Sequence, residues 1–442
     1  MSGEALTNLR QLVQSSDFYH RYGEVVELIG LTIASRGPRA ALGELCVVET
    51  PRGRVPAEVV GFREAHVLLM PLGSREGISP GCKVVATNSE LQVPVGTSLM
   101  GRVLDGLGRP IDGLGELEKV TSYPARNRPP EPLSRRRIAS PLSVGVRSID
   151  AVLTCGRGQR LGLFSGSGVG KSTVMGMIAR NTSADVSVIA LIGERGREVR
   201  EFIERDLGSG LERSVVVVAT SDQPALMRIH AANVATAVAE YFRDQGMDVV
   251  LMMDAVTRYA TALREVGLAV GEPPATRGYT PSVFAELPRL LERSGTSDHG
   301  TITGFYSVLV EGDDMNEPVA DAVRGILDGH VVLCRKLAMQ GHYPAVDVLQ
   351  SISRSMMDVA DEGHLAAAQR LRGLLATYKE AEDLINIGAY VSGSNPRIDE
   401  ACQFIEAINE FLCQPVTQRS DFRHSRKRLM ELMGVGEEVE SP

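Results

Sequence analysis

A glycine-rich segment, SGSGVGKS at residues 165–172, constrains the fold of this chain more than any other feature. It follows the strand-like run RLGLF and precedes TVMGMIARN, whose apolar residues recur at helical spacing. Glycines in such a loop let the backbone N–H groups turn inward around a phosphate, and the helix N-terminus adds the positive end of its dipole. Lys171 can then reach the β- and γ-phosphates of a nucleotide, and the Ser172 hydroxyl can ligate magnesium. The segment predicts a nucleotide-binding site.

The predicted phosphate-binding residues form one continuous stretch: Ser165, Gly166, Ser167, Gly168, Val169, Gly170, Lys171, Ser172 and Thr173. Ser165 stands where the general pattern has glycine, six positions before the lysine. The remaining glycines keep most of the required backbone freedom, so this departure is minor. The alternative is a glycine-rich turn that joins a strand to a helix and binds nothing.

Apolar runs alternate with helical stretches from about residue 141 onward. This pattern predicts a parallel sheet buried on both faces, and hence an α/β domain. The runs are RLGLFSG, VSVIALIG, SVVVVAT, VVLMMDA, TITGFYSVLV and HVVLCR. Asp254 ends one of them, which would place its carboxylate at the C-terminal edge of the sheet as a second magnesium contact.

Charged residues follow directly after another apolar run, in LIGERGREVREF. A glutamate at the end of a buried strand, such as Glu194, could polarise an attacking water. A single glutamate there would be interpreted as a surface charge. Two carboxylates and two arginines within five residues, Glu194 to Glu198, instead favour a functional site.

The chain divides into five predicted regions. Residues 1–21 form a leader with helical spacing, although a frayed terminus is as good an interpretation. Residues 22–95 contain short β-rich runs between glycine and proline turns, which predict a small barrel or sandwich. Residues 96–140 form a connector with a stiff, basic PARNRPPEPLSRRR segment. The α/β domain is predicted at 141–355 and a helical domain at 356–442.

Charge and cysteine usage exclude several classes of protein. The 47 Lys and Arg residues are outnumbered by 55 Asp and Glu residues, giving a net charge of −8. General duplex binding needs a basic footprint, so no nucleic-acid partner is predicted. No two of the six cysteines are spaced as a zinc or redox pair. The N-terminal residues do not form a signal peptide, and no apolar run is long enough to span a bilayer. A cytoplasmic protein is predicted, which could still dock on a membrane surface.

Seven motifs together resemble one family. They are SGSGVGKS, GERGRE, DAVTRYA, HYPAVDVLQSISR, VEGDDMNEP, GRVLDGLGRPIDG and RGYTPSVFAELPRLLERSG. In spacing and order they resemble the catalytic subunits of the rotary ATPase superfamily, and above all the type III export ATPases of flagella and injectisomes. The resemblance covers about residues 20–420. It implies an N-terminal β-barrel, a central RecA-like P-loop NTPase domain with a parallel sheet, and a C-terminal helical domain.

The resemblance also implies roles for individual residues. Lys171 and Ser172 would hold the phosphates and Mg²⁺ of bound ATP, and Asp254 would be the second metal contact. Glu194 matches the catalytic glutamate of the family. Four further residues match its other site positions: Arg195 and Glu198 as neighbours that shape the γ-phosphate pocket, Arg258 as a pocket arginine, and Tyr343 as the aromatic that stacks on adenine. Without the resemblance, the residues around Tyr343 would favour an ordinary half-buried tyrosine.

Arg354 matches the arginine finger of the family, which reaches the γ-phosphate bound to a neighbouring subunit. That role implies a homo-oligomer, by resemblance a hexameric ring. The sequence itself shows only an arginine near a domain boundary, which could instead form a structural ion pair. Other implied partners are a regulatory protein at the leader, a stalk protein, the export gate at the inner membrane, and chaperone–cargo complexes.

We therefore predict an ATPase that energises flagellar protein export from the cytoplasmic face of the inner membrane. An injectisome ATPase and a rotary ATP synthase subunit are alternatives with the same fold. This chain carries both the catalytic glutamate and the finger arginine, which favours a homo-oligomer over a two-chain synthase. An RNA helicase of the termination-factor type would need exposed aromatics in its barrel, and residues 22–95 contain only Tyr22 and Phe62. A nucleotide-binding scaffold without activity is the non-enzymatic alternative.

Overall fold

The computed structural model describes residues 22–310, 312 and 314–436. The predicted leader helix at 1–21 lies outside the described residues. The described residues form two compact units, one made of residues 22–91 together with Glu265–Pro273, and the other made of Gln92–Arg264 and the described residues from Pro274 onward. No helix in the described part is long and apolar enough to cross a membrane.

Six antiparallel strands of the first unit close into a barrel in the order β1-β2-β5-β4-β3-β6. Their bounds are Tyr22–Ile29 (β1), Thr32–Arg36 (β2), Leu45–Thr50 (β3), Gly53–Arg63 (β4), His66–Pro71 (β5) and Lys83–Ala86 (β6). Alternate side chains point inward, so that Val25, Cys46, Val48 and Val84 are buried in the barrel core. This confirms the predicted barrel.

A nine-stranded sheet organises the second unit, with the order β17-β16-β10-β15-β13-β11-β12-β8 and β14 paired to β15. The strands are Val103–Asp105 (β8), Arg160–Ser165 (β10), Val186–Ile192 (β11), Ser214–Ala219 (β12), Asp248–Asp254 (β13), Gly295–Thr296 (β14), Thr301–Leu309 (β15), Gly329–Leu333 (β16) and Val346–Ser353 (β17). The pairs among β8, β10, β11, β12, β13, β15 and β16 are parallel, whereas β14 runs antiparallel to β15 and β17 runs antiparallel to β16. This confirms the predicted α/β class.

Twelve α-helices occur in the described part of the chain. They are Arg147–Val152 (α1), Lys171–Asn181 (α2), Gly196–Glu201 (α3), Ala225–Asp244 (α4), Val256–Val270 (α5), Pro281–Leu291 (α6), Pro318–Ile326 (α7), Arg335–Met339 (α8), Met356–Val359 (α9), Glu362–Asn386 (α10), Pro396–Leu412 (α11) and Phe422–Met433 (α12). Every residue of β11 and β12 is buried, because helices such as α4 cover the sheet. The C-terminal helices share one apolar core with the sheet.

The segment between barrel and sheet is more ordered than a connector. Strand β7 (Gln92–Val95) pairs with β9 (Thr121–Pro124), and both belong to the second unit. Arg102 donates to both carboxylate oxygens of Asp112, at 2.7 and 2.9 Å, beside β8 at the sheet edge. The predicted domain boundaries at residues 95, 140 and 355 stay predictions. Hydrogen bonds connect the residues on the two sides of positions 95 and 140.

Candidate functional site

The phosphate loop has the backbone that its glycines allow. Strand β10 ends at the buried Ser165, and α2 begins at Lys171. Gly168 and Gly170 have φ angles of +78° and +90°, in the left-handed region that residues with a Cβ rarely adopt. Val169 is buried between them and anchors the loop. The turn therefore presents its backbone and the exposed Ser172 hydroxyl at the C-terminal edge of the sheet.

The other members of the predicted stretch differ in exposure. Gly166 is buried, Ser167 is exposed, and Thr173 is partly exposed in the first turn of α2. The hydroxyl oxygen of Ser165 is buried and has no hydrogen-bond partner among the described residues. An orphaned buried polar atom and a loop of left-handed glycines both fit a site that is completed by a polar ligand.

An ion pair joins the end of the phosphate loop to the end of β13, two strands away from β10 in the sheet. Lys171 Nζ lies 2.5 Å from Asp254 Oδ1, and the two side chains are only 10% and 4% exposed. Asp254 ends β13 as predicted, and its Oδ1 also accepts a hydrogen bond of 2.8 Å from Ser307 Oγ on β15. The sequence analysis did not predict Ser307 as a site residue. The one signal for it is a hydroxyl side chain within the apolar run that forms β15, the strand between β10 and β13.

Glu194 lies beside this ion pair. It follows β11 after Gly193, and its own carbonyl accepts a hydrogen bond of 3.0 Å from Ser221 N. Burial and the negative charge of Asp254 raise the pKa of Glu194 to about 7, while Lys171 opposes the rise. A carboxyl group with such a pKa can hold a water molecule and accept its proton near neutral pH.

Arg258 reaches the same edge of the sheet from α5. A Cβ added to Gly193 would lie 3.0 Å from the Cβ of Arg258, so glycine is needed for this close approach. The guanidinium belongs to an exposed residue. The structure thus brings Lys171, Glu194 and Asp254 together and places Arg258 against Gly193, next to Glu194.

Two charged residues of the predicted site lie further out. Arg195 precedes α3, and its side chain is 82% exposed, 3.5 Å from the carboxylate of Glu198. Glu198 also hydrogen-bonds to Glu194 and so helps to raise its pKa. Glu198 therefore links the exposed Arg195 to the partly buried Glu194.

Tyr343 flanks the phosphate loop on the other side. Its ring carbons lie 3.8 Å from the position that a Cβ on Gly170 would take, and the side chain is 47% exposed. Its carbonyl accepts a hydrogen bond of 2.9 Å from the backbone N–H of Gln414. The ring lines a cavity shared with residues that sequence reasoning missed: Arg147, Glu410, Cys413, Gln414, Pro415, Val416, Gln418 and Arg428. An aromatic face in a partly apolar cavity can accept a nucleotide base by stacking.

Arg354 lies at the opposite edge of the sheet. It follows β17, whose last residue, Ser353, pairs with Gly329 at the start of β16. Strand β10 runs from Arg160 at that edge to Ser165 at the phosphate loop, about 17 Å at roughly 3.3 Å per residue. The exposed Arg354 guanidinium forms no ion pair within the described part of the chain. The structure therefore does not bring Arg354 to the phosphate loop of its own chain.

Comparison with known proteins accounts for nearly the whole chain. The ATP synthase alpha/beta family matches with its nucleotide-binding domain at residues 145–353 and its beta-barrel domain at 25–88. The T3SS EscN ATPase C-terminal domain matches residues 360–431.

Curated relatives and solved structures agree with these matches. A flagellum-specific ATP synthase of Bacillus subtilis is 57% identical over 97% of this chain and 98% of its own length. A type 3 secretion system ATPase of Xanthomonas euvesicatoria is 52% identical over 92% of this chain and 93% of its own. The assembled ATPase EscN of enteropathogenic E. coli superposes with a TM-score of 0.88 at 45% identity, covering 93% of this chain and all of that one. The chain therefore belongs to the type III export ATPases, the flagellar and secretion-system branch of the ATP synthase alpha/beta family, and it is an ATPase.

Proposed function

We propose that ATP hydrolysis by this chain energises protein export through a flagellar type III apparatus at the cytoplasmic face of the inner membrane. The observation that carries the proposal is the convergence of Lys171, Glu194 and Asp254 beside the phosphate loop. The full-length similarity to flagellum-specific ATP synthases supports the flagellar assignment.

Two protein ligands suit a magnesium ion that travels with ATP. Mg²⁺ keeps several waters and is usually held by substrate phosphates plus one or two side chains. The Ser172 hydroxyl and the Asp254 carboxylate would supply these contacts, and no denser cluster of metal ligands occurs in the described part of the chain. When bound there, the ion would neutralise negative charge on the phosphates.

Hydrolysis needs an oriented water and a stabilised γ-phosphate. In the proposal, Lys171 leaves its ion pair with Asp254 and binds the β- and γ-phosphates, because these carry more negative charge than one carboxylate. Glu194 orients the attacking water and accepts its proton. Arg258 binds phosphate oxygens from α5, with Arg195 and Glu198 at the outer rim. Tyr343 stacks on the adenine and fixes the other end of the nucleotide.

Arg354 completes the site of a neighbouring copy. It lies about 17 Å from its own phosphate loop, as estimated from the rise of β10, and it is exposed and unpaired within the described residues. Two exposed apolar side chains flank it, Ile352 at 47% and Met357 at 79%. An exposed apolar surface around an unpaired arginine fits a subunit interface. A ring of six such chains is proposed, and the assembled form of EscN supports it.

The turn between α10 and α11 is proposed to face the stalk and the chaperone–cargo complexes. It exposes Ile387 and Val391 by 75% and 70%, next to the exposed Leu384 in the last turn of α10. EscN has been solved with its central stalk EscO, at a TM-score of 0.86 to this chain, which supports a stalk partner. A regulatory protein at residues 1–21 and the export gate stay predictions.

The proposal can be tested by deletion and complementation in the source bacterium. Deletion should abolish swimming and the appearance of filament protein in the medium. The wild-type gene should restore both, whereas Glu194→Gln at equal protein level should restore neither. A deletion strain that still exports filament protein would refute the flagellar role.

An injectisome ATPase is the second candidate, because secretion-system relatives reach 52% identity over most of their length. The same deletion separates the two. A strain that swims normally but no longer secretes effector proteins on host contact would assign the chain to an injectisome.

A further inference from the structure

Hydrogen bonds to neighbouring segments hold the backbone at Ser353 and Arg354 in place. Arg354 N donates to the carbonyl of Asp328 at 3.1 Å. The preceding Ser353 hydroxyl donates to Thr154 O at 2.7 Å and accepts from Gln159 Nε2 at 3.0 Å. Gln159 is fully buried, and its Nε2 also donates to Asp328 O at 3.2 Å. The backbone at Arg354 is therefore held by two segments, the stretch from Thr154 to Gln159 before β10 and Asp328 before β16.

Asp328 is itself held by a fork of hydrogen bonds from Arg160. The Nε and Nη2 atoms of Arg160 donate to the two carboxylate oxygens at 3.0 and 3.1 Å, and Arg160 N adds a third bond of 3.1 Å. In return, Asp328 N donates to Arg160 O at 2.9 Å. Arg160 also pairs with Glu292 at 2.5 Å. A bidentate arginine–carboxylate pair of this kind fixes orientation as well as distance.

We propose that Asp328 and Arg160 are positioning residues for the arginine finger. The inference rests on the proposed role of Arg354 in trans. Since the Arg354 guanidinium has no partner in the described part of its own chain, its direction is set by the backbone beneath it. A displacement of about 1 Å at a reacting centre can cost roughly 100-fold in rate. The Asp328–Arg160 pair fixes the backbone of the finger before the neighbouring nucleotide is met.

A matched pair on the same edge of the sheet provides a control. Asp248 begins β13, pairs with Arg157, and accepts a hydrogen bond of 2.8 Å from Thr301 Oγ1. Its side chain is 29% exposed, the same as that of Asp328. None of its hydrogen bonds or ion pairs within the described residues reaches Arg354 or its neighbours. Asp248 thus has the burial and the ion pair of Asp328 without the link to the finger.

The kinetic test compares Asp328→Asn with Asp248→Asn in the full chain. Asparagine keeps the volume but loses the charge and one acceptor of the fork. Asp328→Asn should lower kcat by roughly 10- to 100-fold and leave KM for MgATP within about twofold. Asp248→Asn should keep both constants within about twofold. Equal kcat values for the two variants would overturn the inference. Should Asp328→Asn melt below the assay temperature, Arg160→Gln replaces it with the same expectations.

Mixed assembly tests whether the defect acts on the neighbour. Asp328→Asn keeps its own phosphate loop, whereas Lys171→Ala keeps its finger and loses turnover. Mixed in equal amounts, they should hydrolyse ATP several times faster than the sum of the separate variants, because some sites join a sound loop to a sound finger. A mixture that only reaches the sum would place the defect in the variant's own site or fold, and would overturn the inference.

Arg354→Ala, measured in parallel, separates this inference from the proposed function. If Arg354→Ala keeps full activity, the trans finger itself is wrong. If Arg354→Ala is inactive while Asp328→Asn is normal, the finger stands and the positioning role is wrong.

Discussion

The two edges of the central sheet hold their charges in opposite ways. At the C-terminal edge, Lys171 and Asp254 form a pair of nearly buried charges, and the adjacent Glu194 has a pKa raised by burial and by that aspartate. At the other edge, Arg160 is shared between Asp328 and Glu292. One edge contains charges that a phosphate ligand would rearrange, and the other contains charges that are already satisfied.

Arg354 is the exception at the satisfied edge. Its backbone is tied down, while its guanidinium is exposed and has no ion pair in the described part of the chain. A single chain thus places most of a hydrolytic site at one edge and an unpaired arginine at the other. The two parts meet only if a second copy packs so that its Arg354 lies against the phosphate loop of the first copy. Closed rings with head-to-tail contacts allow such packing.

The largest expected effect is that of removing the unpaired arginine. Arg354→Ala should lower kcat by roughly 10³-fold or more, because an arginine finger in trans is worth about 10³–10⁵ in rate. Binding of a fluorescent ATP analogue should stay within about twofold, since the residue lies at the far edge from its own loop. A kcat within tenfold of the wild-type value would contradict the division of labour between the edges.

Mass measurement gives the physical counterpart of that kinetic test. With a non-hydrolysable ATP analogue, the wild-type chain should form a closed oligomer. A strict monomer at every concentration and with every nucleotide would exclude catalysis in trans.

The next effect concerns the carboxyl group at the ligand edge. Glu194→Gln removes the proton acceptor but keeps the size and the hydrogen bonding of the side chain. Turnover should fall by at least about 100-fold, within the range for general bases, while ATP binding persists. Glu201→Gln is a suitable control, because Glu201 lies in the same segment and, among the described residues, forms its ion pair with the exposed Arg197 alone. Unchanged turnover in Glu194→Gln would remove the residue from the mechanism.

A smaller effect is expected at the aromatic wall of the cavity. Tyr343→Ala should raise KM for ATP by roughly tenfold, because stacking of a base on an aromatic ring is worth about 1–3 kcal/mol. Since the ring is proposed to contact the base and not the γ-phosphate, kcat should change little. Tyr343→Phe keeps the stacking face and should restore KM. If Tyr343→Phe and Tyr343→Ala had the same KM for ATP, the ring would not contact the base.

The proximity of Lys171, Glu194 and Asp254 was predictable from the sequence because its signals are local. The glycines of the phosphate loop adjoin Lys171 in the sequence, and Asp254 ends an apolar run that can only be a buried strand. The parallel sheet then brings these ends together without further information. Ser307 lies within a strand and Gln414 lies beyond a helix, so both enter the site through packing that no local pattern encodes.

The surroundings of Arg354, at the opposite edge of the sheet, were predictable only in part. Resemblance to a family identified Arg354, but not the residues that hold its backbone. Gln159, Arg160 and Asp328 are separated from it by up to 195 positions, and ordinary polar residues at strand starts carry no signal. The hydrogen bonds from Gln159 to Ser353 and from Arg354 to Asp328 depend on the antiparallel return of β17 beside β16, a feature that the apolar runs did not predict. The domain limits were equally hidden, since β7 and β9 pair across a stretch that reads as a connector.

The smallest expected effect tests whether the rest of the edge around Arg354 is only structural. Asp248→Asn removes the charge that pairs with Arg157 but keeps an oxygen for Thr301 Oγ1. Since both charged side chains are about one-third exposed, the free energy of unfolding should fall by about 1 kcal/mol, with kcat unchanged. Chemical denaturation beside a steady-state assay measures both quantities. A loss of kcat in Asp248→Asn as large as that in Asp328→Asn would contradict a specific role of the Asp328–Arg160 pair.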